Sequence, residues 1–201
     1  MLRSVAWNYR EGGVRQVVAR AAGRASQLVY RAYSIDLYRC TELVQGGDLP
    51  AGTSVREIDF RELVQGAHFK ALAYPDAIRH RFDAGERCFA VYIDDRFAHA
   101  SWLTLGYLPI DRGIPDVVDD AMAGVYDCYT HPSFRGRGCL KHALRSICEQ
   151  ASAAGLTRAV AAIDPGNRAS IAGFEKVGFS RIGPLRYAKV LGRVRYEHPA
   201  I

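Results

Sequence analysis

Arg135-Gly136-Arg137-Gly138, followed directly by Cys139-Leu140-Lys141-His142-Ala143-Leu144, brings together the parts of an anion-binding turn. Gly136 and Gly138 permit backbone conformations closed to other residues and let a ligand approach the main chain. A helix opening directly after them presents unpaired amide hydrogens and the positive end of its dipole, which suits a phosphate. Arg135 and Arg137 add two charges beside it. Just upstream, Asp127, Tyr129 and His131 alternate along Val125-Tyr126-Asp127-Cys128-Tyr129-Thr130-His131, and all three are side chains that can hold or move a proton. In extended backbone they share one face, opposite Tyr126, Cys128 and Thr130. Two plainer readings stay open: Asp127 can pair with a neighbouring arginine, and His131, before Pro132, can belong to a loop. Cys128 and Cys139 have no identifiable activating partner and read as small buried residues rather than nucleophiles.

The elements that position these groups follow from pattern. Val125 to Thr130 favours a strand, which Pro132 ends because it has no amide hydrogen for a ladder. Leu140, Leu144, Ile147, Ala151 and Ala154 form the apolar stripe of a helix that Gly155 ends. Thr157–Ile163 reads as a buried strand and Asp164-Pro165-Gly166-Asn167 as a turn. Asn167 caps the next helix, which carries Ile171, Phe174 and Val177 and stops at Gly178. Residues 179–182 and 185–194 read as two closing strands. Upstream, Ser34–Leu43 and Val55–Phe60 are candidate strands, and Asp59 can cap a helix over residues 61–69. Pro75 opens a helix that ends at Asp83. Cys88–Ile93 and Phe97–Leu105 form a hairpin about Asp94-Asp95-Arg96. Leu108–Ala121 is predicted to be a polar loop whose cluster Asp116, Asp119 and Asp120 offers a cation site. The order of elements is mixed α/β.

A chain of 201 residues accommodates one domain with an N-terminal extension. No apolar run approaches the roughly 20 residues of a membrane span. The five cysteines are odd in number and lack a C-x-x-C pair, which argues for a reducing compartment, the cytoplasm, and against a disulfide framework or a zinc site. The net charge of +6 is uneven, because residues 1–40 hold seven arginines against Glu11 and Asp36. The rest is nearly neutral, so nucleic acid is not expected as the main substrate, and the nucleotide loop G-x-x-x-x-G-K-[ST] is absent. Residues 14–33 have helical spacing, with three readings open: a helix packed on the domain, an interfacial helix making peripheral contact with an anionic membrane, or a removable targeting segment. The expected division is a basic extension over 1–54 and a catalytic-looking domain over 55–201.

Placed together, the loop and the late segment Asn167-Arg168-Ala169-Ser170-Ile171-Ala172-Gly173-Phe174-Glu175-Lys176-Val177-Gly178-Phe179 resemble the GNAT superfamily of acyl-CoA-dependent N-acyltransferases. The resemblance covers residues 55–194 and is strongest from 125 to 179. It implies a twisted, mostly antiparallel sheet with helices on both faces and a splayed parallel strand pair that holds the cofactor. It also implies acetyl-CoA as acyl donor, with no metal. Backbone groups of Cys128, Tyr129 and Thr130 would pair with pantetheine, amides from Arg135 through Gly136, Arg137, Gly138 and Cys139 to Leu140 would hold the pyrophosphate, and Asn167 would bond the pantetheine arm, with Phe174 also at the cofactor. A strand amide near Thr130 would stabilise the oxyanion.

Two positions depart from the family pattern. Leu140 stands where the loop ends in glycine or alanine, and Phe174 stands where many members carry a tyrosine that protonates the departing thiolate. A thiol pKa near 8.5 leaves the free thiolate only about 2 kcal/mol above neutrality, so the lost acid slows the reaction without stopping it. A lysine-like ammonium with pKa around 10 must first lose a proton, so a base matters more. Asp127 and His131 are the candidates, with Tyr126 and Tyr129 as helpers. Ser170 is a substitute acid only if it is not simply solvated in its helix. The expectation is acetyl transfer to a primary amine of a small molecule, an amino sugar among the options, by direct attack in a ternary complex. The alternatives are a non-catalytic CoA-binding module and a protein N-acetyltransferase, and the oligomeric state is left open between monomer and homodimer.

Overall fold

The computed structural model describes residues 30–43, 47–66, 75–110, 114–190 and 193–201. Among them the order is β1 (Tyr30–Cys40), β2 (Thr53–Ile58), α1 (Phe60–Gly66), α2 (Pro75–Asp83), β3 (Arg87–Ile93), β4 (Arg96–Leu108), β5 (Val117–Thr130), α3 (Cys139–Ala153), β6 (Arg158–Ile163), α4 (Arg168–Glu175), β7 (Ser180–Val190) and β8 (Arg193–Glu197), with a 3-10 turn at Pro132–Phe134 before α3. The local signals explain most of these bounds. Asp59 Oδ1 accepts the Glu62 amide at 2.7 Å and starts α1. Asp94 and Asp95 take positive φ of 49° and 59° in the β3–β4 hairpin turn, the conformation that matches the twist of the flanking strands.

The eight strands form one sheet in the order β2-β3-β4-β5-β6-β1-β7-β8. β5 and β6 are parallel, whereas β2–β3, β3–β4, β4–β5, β6–β1 and β7–β8 are antiparallel. Neighbouring residues of β4 enter different cores, which puts helices on both faces. Trp102 joins Ile58, Leu63 and Ile78 of β2, α1 and α2, while Leu103 joins Leu144 and Ile147 of α3 and Phe174 of α4. The mixed α/β architecture is the one the sequence implied. Two compact units divide the chain. One holds residues 35–184 and 199–201; the other holds the described residues among 30–34 and 185–198, where β7 and β8 pair from Arg186↔Glu197 to Val190↔Arg193.

Four expectations change. Of the helix read over 14–33, residues 14–29 lie outside the described residues, and Tyr30–Tyr33 belong to β1, where they extend the strand expected from Ser34. The polar loop over 108–121 is shorter, because β5 already begins at Val117. There Asp119 is tied down, one oxygen accepting the Ala121 amide at 2.9 Å and the other the Arg158 guanidinium of β6. The two closing strands are divided differently, since β7 continues through Gly183-Pro184 to Val190. The buried stripe of α3 ends at Ala151, Ala154 being its exposed cap, and takes in His142 and Cys148. Among the described residues no helix is long and apolar enough to cross a membrane.

Gly124 is a second kind of constraint. Between Leu105↔Ala123 and Tyr107↔Val118 the register slips, β5 carrying the extra residues against Gly106, and the β4 backbone at Tyr107 and Leu108 lies over Gly124. A Cβ at Gly124 would collide with Tyr107 O and Thr104 Oγ1 and sit 3.0 Å from Leu108 Cα. Backbone cannot step aside as a side-chain tip can. Gly124→Ala is expected to lower stability by about 1–3 kcal/mol, read as a lower urea midpoint at unchanged slope.

Candidate functional site

β5 and β6 pair only from Met122↔Arg158 to Val125↔Ala161, after which β5 runs on to Thr130 and β6 to Ile163. Beyond Val125 this ladder stops, and a cavity of about 640 Å³ opens against β5, the loop after it, and the starts of α3 and α4. Cys128, Tyr129, Thr130, Arg135, Gly136, Gly138, Cys139, Leu140 and Asn167 all line it. The structure therefore gathers nine of the eleven positions that the resemblance assigned to cofactor binding. Arg137 and Phe174 stay out of the wall. The Arg137 guanidinium lies 5.6 Å over the Phe134 ring, and Phe174 is 2% exposed, edge-on to Phe179 at 5.0 Å.

The loop has the geometry of an anion cradle. Gly136 and Gly138 take φ of 79° and 76°, the left-handed region that favours glycine. Gly138 is the N-cap of α3 and no side chain caps that helix, so its first-turn amides face the cavity mouth without a competing internal acceptor. Arg135, Lys141 and Lys176 supply positive charge at the wall. Asn167 Oδ1 accepts the Ser170 amide at 3.2 Å and fixes the start of α4, which leaves its side-chain amide available to a ligand. A long anionic cofactor with an extended arm fits this arrangement, with phosphates at α3 and the arm along β5.

The proton-moving residues are separated rather than assembled. β4 and β5 pair as Ala100↔Tyr129 and Trp102↔Tyr126, so Asp127 and Cys128 together oppose Ser101. That is a β-bulge, and Asp127 sits in it at φ 46°. The bulge breaks the alternation expected for residues 126–131: Tyr126 packs with Trp102 on the α1–α2 side, and Cys128 packs with the α3–α4 core. Asp127 is exposed and bonds Arg81 of α2, Oδ2 to Nη1 at 2.6 Å. His131 caps the 3-10 turn, its Nδ1 accepting the Ser133 amide at 3.3 Å. Tyr129 stays at the cavity wall. Burial and a hydrogen bond donated to Glu86 push the phenols of Tyr107 and Tyr126 up, Tyr107 donating to Glu86 Oε1 at 2.7 Å and Tyr126 to Oε2.

Residues 54–179 match the Acetyltransferase (GNAT) family. The chain belongs to that family. Solved structures agree in fold: a GNAT-family protein of Novosphingobium aromaticivorans superposes with a TM-score of 0.56 at 18% identity, over 79% of this chain and 63% of the other. A GCN5-related N-acetyltransferase of Kribbella flavida gives 0.54 at 16%, over 88% and 62%. The chain thus spans less than two thirds of either relative's length. No functionally curated protein matches it.

Within this GNAT site the departure at Leu140 has a structural counterpart. A Cβ on Gly173 of α4 would come 2.5 Å from Leu140 Cδ2, so the leucine side chain occupies the space that Gly173 leaves open. Gly173 and His99, also in the cavity wall, were not read from sequence. Gly173 looks like a helix-weakening residue until α3 is packed on α4, and His99 alternates with Ser101 and Leu103 on the face of β4 that the pattern of Ala98, Ala100 and Trp102 hid.

Gly173→Ala gains helix propensity but pushes Leu140 toward the cofactor. Its acetyl-CoA dissociation constant is expected to rise at least several-fold, and Leu140→Ala in the same chain to restore it, by calorimetry. Burial also pushes the Cys128 thiol up to about 12, so iodoacetamide at pH 8 should leave Cys128 unlabelled in peptide mass maps of the native protein.

Proposed function

We propose that the protein transfers an acetyl group from acetyl-CoA to a primary amine of a small molecule, by direct attack while both substrates are bound. The observation that carries this reading is the cavity where β5 leaves β6, closed at one end by the uncapped start of α3. Acetyl-CoA supplies an activated thioester when bound. The chain's own residues do the rest: the α3 amides with Arg135 and Lys141 hold phosphate charge, the β5 backbone from Cys128 to Thr130 aligns the arm, and Asn167 steadies it.

Asp127 is the base in this reading. A non-glycine residue held at φ 46° stores strain of about 1–3 kcal/mol, and that strain here turns a carboxylate out of the ladder at the point where the strands part. Arg81 holds one of its carboxylate oxygens and leaves the other for an incoming ammonium. The acidic loop no longer recommends a cation site of its own, because Asp119 is committed to Arg158. Amino sugars stay in the panel of acceptors as one small amine among others.

The buried Phe174 favours a second reading, a CoA-binding module without turnover. The two are separated by one experiment. Acetyl-CoA at 100 times its dissociation constant should stabilise the fold by about 2.7 kcal/mol under either reading. Only the enzyme releases thiol with an amine panel, and there Asp127→Asn should cut kcat by about 10²–10⁴ with acetyl-CoA binding kept. No stabilisation by acetyl-CoA overturns both.

A further inference from the structure

A buried string of hydroxyl, imidazole and hydroxyl joins β4 to β5 at the cavity wall. His99 is 1% exposed, and both its ring nitrogens are engaged, Nδ1 lying 2.8 Å from Thr130 Oγ1 and Nε2 lying 2.7 Å from Ser101 Oγ. His99 and Thr130 oppose each other in the β4–β5 ladder, and both line the cavity. Ser101 is wholly buried behind them. Desolvation draws the imidazole down to about 3, so the ring is neutral and carries one proton. It must donate at one nitrogen and accept at the other.

The neighbours decide which nitrogen donates. The Ser101 hydroxyl has two acceptors within reach, His99 Nε2 and the Cys128 sulfur. A thiol sulfur accepts weakly and an imidazole lone pair accepts well. Ser101 therefore donates to Nε2, the ring proton sits on Nδ1, and Nδ1–H donates to Thr130 Oγ1. With that lone pair of Thr130 occupied by an incoming hydrogen, its own O–H turns to the cavity as a donor.

Resting on the acyl-CoA reading above, we infer that Thr130 O–H donates to the sulfur of the bound acyl-CoA and that His99 is the positioning residue that keeps it a donor. As the amine nitrogen bonds to the carbonyl carbon, the C–S bond breaks and its electron pair passes to sulfur. An acceptor that arrives as the ammonium first gives one proton through Asp127 to solvent. The second, shed as nitrogen bonds to carbon, follows the same route. The sulfur is protonated from solvent after release, and Thr130 keeps its proton throughout. A hydrogen bond suffices for this task. With a thiol pKa near 8.5, the free thiolate at pH 7 is only about 30-fold less populated than the thiol, and a charge-assisted bond recovers about tenfold or more. Phe174, without a hydroxyl and packed on Phe179, leaves the task to another residue.

The test needs no acceptor. At pH 8.5, where about half of the free thiol is ionised, dissociation constants of CoA and desulfo-CoA are measured by calorimetry for the native chain, Thr130→Ser and Thr130→Val. The native chain and Thr130→Ser are expected to prefer CoA about tenfold, and Thr130→Val to lose that preference, read as the ratio of its own two dissociation constants. Imidazole ¹⁵N shifts of His99 should show Nδ1 protonated, and His99→Gln, if folded, should lose the preference too. A preference that survives Thr130→Val or disappears in Thr130→Ser overturns the inference, as does an Nε2-protonated ring. A native chain that binds neither ligand overturns the acyl-CoA reading instead.

Discussion

The parallel ladder between β5 and β6 is four residues long, and the site depends on its stopping there. Had the strands stayed together past Val125, the amides and carbonyls of both would be consumed within the sheet and no arm of a ligand could lie between them. A gap in a sheet is costly unless something rigid holds its sides. Here β4 holds one side through Ala100↔Tyr129 and His99↔Thr130, and β1 holds the other through Asp36↔Ile163 and Leu37↔Ala162. Behind the gap, Leu144 and Ile147 of α3 and Phe174 of α4 pack into one core with Ala159 and Ala161. The cleft is preformed by neighbours that gain nothing from a ligand, which limits the ordering that binding must impose.

The elements that build this frame were largely legible in the sequence because each carries a local signal. Asp59 and Asn167 cap the helices that follow them, Asp94 and Asp95 supply the positive φ of a tight hairpin, and the α3 stripe has helical period. The bulge at Asp127 was not legible. Nothing in Tyr126-Asp127-Cys128 departs from an ordinary alternating strand, and the extra residue is imposed by the register against Ser101 across the ladder. Strict alternation consequently misassigned the faces, because one inserted residue reverses every side chain beyond it.

Leu140 and Gly173 make the same point at longer range. Against a motif, Leu140 is an intrusion into a loop that elsewhere ends in a small residue. In the fold its side chain leans on α4 where Gly173 has none to offer, so the departure is absorbed by a residue 33 positions away. Packing of that kind lies in volumes, and a sequence pattern records residue types. His99 was hidden for a related reason. In an apolar strand a single histidine reads as a tolerated core residue, and only its two partners at 2.7 and 2.8 Å distinguish it.

The sheet also divides charge between its two faces. On the α3–α4 face the cavity wall carries Arg135, Lys141, Lys176 and the positive end of α3. On the α1–α2 face stand the Asp127 carboxylate with Arg81, and Glu86 held by two phenols. In the proposed reaction the donor is anionic and suits the first face, and the amine acceptor is cationic and suits the second. The bulge joins the two, since residue 126 belongs to one face and residue 128 to the other. The direct transfer proposed above requires both substrates at one point at one time, and the bulge at Asp127 is where the two faces of this sheet come within a single residue of each other.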